Sequence, residues 1–169
     1  MSLKPIAVAL GLSFVSVFAH SEASFTFSNE AAAAATTHVV FVDDVSNLDG
    51  EAAKLDQASQ GAISKLIELN DFKAKKGSTL HLQMVAGFDS VLLVGSHDED
   101  GLDAPELQDL GGVIAGKLAS VDEVLNINIA VDNLMTDVAT PSAYIALGYD
   151  LRHYSFDRYK TKKVKAFHR

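Results

Sequence analysis

Apolar and polar residues alternate along this chain in two rhythms, and the switches between them predict the elements. His38-Val39-Val40-Phe41-Val42 is a compact, β-branched run that ends at Asp43-Asp44 and predicts a buried strand. From Glu51 to Leu69 the apolar positions Leu55, Ala58, Ala62, Leu66 and Leu69 recur every three or four residues, with Ile63 and Ile67 widening the stripe. That spacing predicts one amphipathic helix, closed by Asn70-Asp71. Thr79 to Val85 alternates, with Leu80, Leu82 and Met84 on one face. After a turn at Gly87, Val91-Leu92-Leu93-Val94 is apolar on both faces, the mark of a central strand. Asp103 and Glu106 form a capping box around Pro105, opening a helix whose buried stripe is Leu107, Leu110, Ile114 and Leu118. Val124 to Val131 alternates again through Leu125, Ile127 and Ile129, and Thr140-Pro141 opens a last helix to about Leu151. Phe25-Thr26-Phe27-Ser28 reads as a short early strand, and Tyr154 and Phe156 alternate as a final one. The order predicts a single α/β domain of three-layer type, a mixed β-sheet covered by helices.

The 169 residues suit one domain with a core of its own, and the absence of cysteine excludes a disulfide framework, thiolate metal sites and a cysteine nucleophile. Charge divides the chain. Residues 1 to 151 carry seven Lys or Arg against twenty-one Asp or Glu (−14), while residues 152 to 169 carry seven basic residues against Asp157 alone (+6). An acidic body repels phosphate backbones, so nucleic-acid binding could only reside in the tail, where Arg158, Lys160, Lys162 and Lys163 follow Tyr154 and Phe156. A run of this kind usually marks a solvated linker. At the other end, Lys4 precedes fourteen residues from Ile6 to Ala19 that are mostly apolar, and small residues allow cleavage after Ala19 or Ala23. This pattern predicts a signal peptide over residues 1–23 and an exported protein, periplasmic or secreted. The expected organisation is then 24–157 as the α/β domain and 158–169 as a basic linker or tail.

Candidate chemistry is sparse. The loop Ser96-His97-Asp98-Glu99-Asp100-Gly101 follows the central strand, where α/β folds place ligands, but its glycine comes too early for a calcium loop and the distal glutamate is missing. Gly111, Gly112 and Gly116 lie inside a helix, not at its start, so close packing explains them better than a phosphate cradle. No Gly-x-Ser-x-Gly elbow or His-Glu-x-x-His is present, and His38 and His81 sit in strands, where structural roles are the default. The carboxylate pairs Asp43-Asp44 and Asp122-Glu123 fall at element ends, as solvated acids do. The residues assemble no nucleophile, base and orienting group, so the expected catalytic, cofactor-binding and metal-ligating sets are all empty.

Several segments together carry a resemblance. Leu66-Ile67-Glu68-Leu69-Asn70-Asp71-Phe72-Lys73-Ala74-Lys75-Lys76-Gly77, Val91-Leu92-Leu93-Val94-Gly95, Leu110-Gly111-Gly112 and Tyr154-Ser155-Phe156-Asp157-Arg158-Tyr159-Lys160-Thr161-Lys162-Lys163 follow one another in that order. This succession resembles the N-terminal domain of the leucyl (cytosol) aminopeptidase family, the last segment being the most specific. Ala74 stands where the family's turn has glycine, and Gly95-Ser96-His97 where the family tends to Gly-Leu-Gly. The resemblance implies a macro-domain-like fold and a place in a hexamer, shaping assembly and access to active sites. It also implies a separate catalytic domain with two divalent metal ions, zinc or manganese, whose ligands match no position here. The expected role is a non-catalytic assembly module of an exported leucyl-aminopeptidase-like metallopeptidase, inactive by itself. The competing reading is a stand-alone binder of a nucleotide or sugar phosphate in the macro-like cleft, which Asp98, Glu99 and Asp100 would oppose.

Overall fold

The computed structural model describes residues 37–119, 126–135 and 137–153. The predicted leader, the strand at residues 25–28, the start of the strand expected from Val124, the strand at Tyr154–Phe156 and the basic tail lie outside them.

Four strands form one sheet in the order β2-β3-β1-β4, with β1 Thr37–Val42, β2 Thr79–Val85, β3 Phe88–Gly95 and β4 Ile127–Ala130. β3 and β4 run parallel to β1, and β2 runs antiparallel to β3, so the sheet is mixed as expected. The two central strands are β1, buried throughout, and β3, buried from Ser90 to Gly95, because a strand buried on both faces must be covered by helices on both sides. Alternate residues of β1 serve opposite layers. Val39 and Phe41 pack against α3 (Ala104–Leu118) and α4 (Ala139–His153), burying Leu107, Leu110, Ile114 and Ile145. Val40 and Val42 face α1 (Gly50–Ala58) and α2 (Ala62–Leu69), burying Leu55, Ile63 and Ile67. The capping box opens α3 as its sequence requires: Asp103 accepts from the Glu106 N–H at 2.9 Å, and Glu106 accepts from the Asp103 N–H at 2.8 Å.

Three local departures have physical causes. The helix expected over residues 51–69 is two helices. Gln60 (φ 55°) and Gly61 (φ 84°) turn left-handed, and the Asp56 carboxylate reaches across the break to the N–H and hydroxyl of Ser64 at 2.8 and 2.7 Å. The break re-phases the second stripe, so Ile63 and Ile67 are buried while Leu69 is 71% exposed. In β2, Met84 has a left-handed φ of 54° just before the hairpin and is 82% exposed, and Val85 takes the buried place. Ala86 and Gly87 then close the turn with φ of 54° and 84°, the signs a primed two-residue hairpin needs.

The third lies at Ala74, where the resemblance set alanine in place of glycine. The left-handed backbone is kept all the same: φ is 56° and the residue is wholly buried. A β-carbon in this region costs about 1–2 kcal/mol. Ala74→Gly removes that strain but loses a buried methyl of about 0.8 kcal/mol and adds about 0.5–1 kcal/mol of backbone entropy. The opposing terms nearly cancel, so the variant is expected within about 1 kcal/mol of the parent in urea denaturation. A right-handed position of equal burial would lose the methyl and entropy terms together; a loss of that full size would show the strain to be absent.

Candidate functional site

In an open α/β sheet, ligands favour the carboxyl ends of the strands where successive connections leave on opposite faces. Here two such points flank β1, which is followed by α1 on one face while its neighbours β3 and β4 are followed by α3 and α4 on the other; the first lies between β1 and β4. The chain's own groups bridge it. Asn133 donates through Nδ2 to the Phe41 carbonyl at 3.1 Å and to Asp49 Oδ1 at 2.9 Å, and the Glu51 N–H donates to Asp132 Oδ1 at 3.3 Å. Gly50 fits here with φ 51°, since a β-carbon on it would lie 2.9 Å from that of Asn133.

Between β1 and β3 the edge is acidic. His97 Nδ1 lies 3.1 Å from Asp43 Oδ1, and Asp44 accepts from both the hydroxyl and the N–H of Ser46, which holds its carboxyl below the usual range. Two acids of the capping and loop segments are neutralised from the turn before β2. Lys76 pairs with both Asp98 and Glu106, which raises its own pKa and lowers theirs. The sequence-predicted loop is thereby pinned by a cation, a contact that no spacing rule signals because Lys76 and Asp98 are 22 residues apart. Among the described residues no three His, Asp or Glu side chains gather to hold a metal ion. Two divalent ions do not fit this donor set, in which Lys76 already occupies the best-placed carboxylate pair.

His38, expected in a structural role, is wholly buried in β1 with its ring stacked on Phe88 at 4.6 Å between centroids. Its Nδ1 is 3.0 Å from Asn128 Nδ2, and its Nε2 is 3.6 Å from Glu51 Oε1. Of Gly111, Gly112 and Gly116, expected to pack closely, Gly111 does so against the carbonyl of Ile145, as Gly148 does against that of Gln108, whereas a β-carbon on Gly112 or Gly116 would meet no atom nearer than 3.6 Å. Beyond Gly111, residues Gly112, Val113, Gly116 and Leu151 of α3 and α4, with Thr79 of β2, line an open groove of about 910 Å³. Asp109, Lys117 and Arg152 edge it with both signs of charge, so it focuses neither anion nor cation.

Residues 39–163 match the model of the cytosol aminopeptidase family, N-terminal domain. The chain belongs to this family. It is 34% identical over 131 residues to a probable cytosol aminopeptidase of Nitrobacter hamburgensis, covering 75% of this chain and 26% of that relative. A probable cytosol aminopeptidase of Xanthobacter autotrophicus is 33% identical over 145 residues, covering 83% of this chain and 28% of the relative. A mutant tomato leucine aminopeptidase shares the fold with a TM-score of 0.59 at 20% identity, over 78% of this chain and 28% of that one. The chain therefore spans about a quarter of the length of the relatives it matches. Their name corrects the expected location. Cytosol aminopeptidases point to the cytoplasm and not to export, an expectation that rested on Lys4, the apolar run of residues 6–19 and the small residues around Ala19 and Ala23, all outside the described part. No helix among the described residues is long and apolar enough to cross a membrane.

Proposed function

We propose that this chain serves as a non-catalytic assembly module of a cytosol-aminopeptidase-like protein, with peptide cleavage and its two metal ions belonging to sequence outside it. The family match carries this reading, because it assigns residues 39–163 to the N-terminal domain alone. The chemistry of the strand ends supports it. Their polar groups are engaged with one another, in the Asn133 bridge, the Lys76 clamp and the exposed His97–Asp43 pair, and among the described residues no three His, Asp or Glu side chains gather to hold a metal ion. A phosphate-bearing ligand gains no support, since Asp43 and Asp44 follow β1 and Glu99 and Asp100 follow β3, its parallel neighbour, at the edge where the ligand's charge would sit.

The decisive experiment is an exchange. Residues 24–157 replace the corresponding segment of the Nitrobacter hamburgensis relative, and the mass and peptidase rate of the chimera are measured. The expected outcome is the relative's own assembly state with activity retained, while the 169-residue chain alone leaves leucine p-nitroanilide uncut with zinc or manganese added. A folded chimera that fails to assemble, or metal-stimulated cleavage by the chain alone, refutes the proposal.

A further inference from the structure

The burial of His38 against Glu51 goes beyond what a scaffold requires. We propose that His38 is an acid-operated release for α1, proton uptake by its buried ring loosening that helix from the sheet. With the Asn128 amide nitrogen 3.0 Å from Nδ1, the amide supplies the hydrogen and Nδ1 is the bare, accepting nitrogen. The ring's single hydrogen is then on Nε2, which has no hydrogen-bond partner and faces Glu51 Oε1 at 3.6 Å, beyond hydrogen-bond length. This pocket suits a neutral imidazole. A second N–H would meet the hydrogens of Asn128, and the charge would lie in a fully buried site.

The acidic neighbours compensate only in part. Glu51 is shared with Lys54, its Oε2 lying 2.9 Å from the ammonium, and Lys54 is shared in turn with Asp132 at 3.5 Å. The charged groups near the ring are thus Glu51 and Lys54 from α1 and Asp132 from the end of β4, while β3 contributes the uncharged Phe88 and β4 the uncharged Asn128. Burial outweighs Glu51 and Asp132 and holds the imidazole below its ordinary pKa of 6.5. A depressed histidine is neutral when folded and takes its proton more readily when opened. Its contribution to stability is therefore complete above pH 6.5 and is lost as pH falls below that value.

The element that gives way is α1. It has only nine residues, and its N-cap Asp49 makes no side-chain cap bond. Its first turn is held instead by Asp132, through the Glu51 N–H, and by the Asn133 bridge to Asp49. Opening α1 withdraws Glu51 and admits water to Nε2.

The test is amide hydrogen exchange on the full chain at pH 8 and pH 5, corrected for intrinsic exchange, in the parent, His38→Phe and His38→Gln. A histidine that ionises only in the open form raises the opening frequency of α1 by up to about 30-fold at pH 5. The expected result is such a rise at Ala53–Ala58 in the parent, with α3 unchanged and the rise absent in either variant. Equal exchange at both pH values, a rise shared by α3, or a rise kept in the variants overturns the proposal. Should neither variant fold, the parent's His38 ring resonances decide. Their titration midpoint coincides with that of α1 exchange if the proposal holds and departs from it if not.

Discussion

Gly148→Ala is expected to cost about 3 kcal/mol of folding stability, although alanine is the better helix former by about 1 kcal/mol. The new β-carbon would lie 1.9 Å from the Gln108 carbonyl oxygen and 2.6 Å from its carbon, both of them backbone atoms of α3. No rotamer change relieves a clash with backbone, so the two helices must separate and the layer of Leu107, Leu110 and Ile145 beneath them loosens. Gly112→Ala supplies the control one turn away on the facing helix. There the added carbon has only the Gly148 carbonyl, at 3.8 Å, for a neighbour, so helix propensity prevails and the variant gains up to about 1 kcal/mol. Urea denaturation of the two variants should show midpoint shifts of opposite sign. Shifts of the same sign would mean that α3 and α4 do not touch through these glycines.

Gly95→Ala is expected to be as damaging, about 3 kcal/mol or more, for a reason of position. At the end of β3 the β-carbon would fall 2.2 Å from the Lys75 carbonyl oxygen and 2.5 Å from Ser78 Oγ. The segment from Ala74 to Ser78 lies directly on this glycine, tied by the Gly77 N–H to the Gly95 carbonyl at 2.9 Å and by the Gly95 N–H to the Ser78 carbonyl at 2.8 Å. Displacing the segment also carries Lys76 away from Asp98 and Glu106. The variant should therefore combine a lower denaturation midpoint with altered NMR shifts at His97 and Glu106. An unfolding free energy within about 0.5 kcal/mol of the parent's would refute this account.

What the sequence revealed depended on the range of the forces involved. The strands, the α3 capping box and the α3 stripe are written in neighbouring residues, so periodicity and cap chemistry predict them. The break at Gln60-Gly61 was hidden because Ala58, Ala62 and Leu66 keep a helical spacing across it, and the bond that marks it, Asp56 to Ser64, spans eight residues. Alternation puts Met84 on one face with Leu80 and Leu82, an assignment that assumes extended backbone and fails where φ turns positive. At the strand ends, the alanine-for-glycine exchange at Ala74 and the acidic loop were both visible. The Lys76 clamp, the Asn133 bridge and the His38–Glu51 approach were not, since each joins segments brought together only by the sheet.

The position of β1 also bears on how the chain comes to fold. This strand precedes both of its hydrogen-bonded neighbours, with Thr37 facing Ser90 at a separation of 53 residues and His38 facing Asn128 at a separation of 90. At ribosomal speeds of about 5–20 residues per second, the Val-Val-Phe-Val segment waits roughly 3–10 s for its first partner and longer for its second. The β2–β3 hairpin, local and closed by two residues, can form before β1 is engaged on either side. An aggregation-prone strand is thus exposed throughout the early life of the chain, and the acidic Asp43-Asp44 that follows it stands where a gatekeeper would.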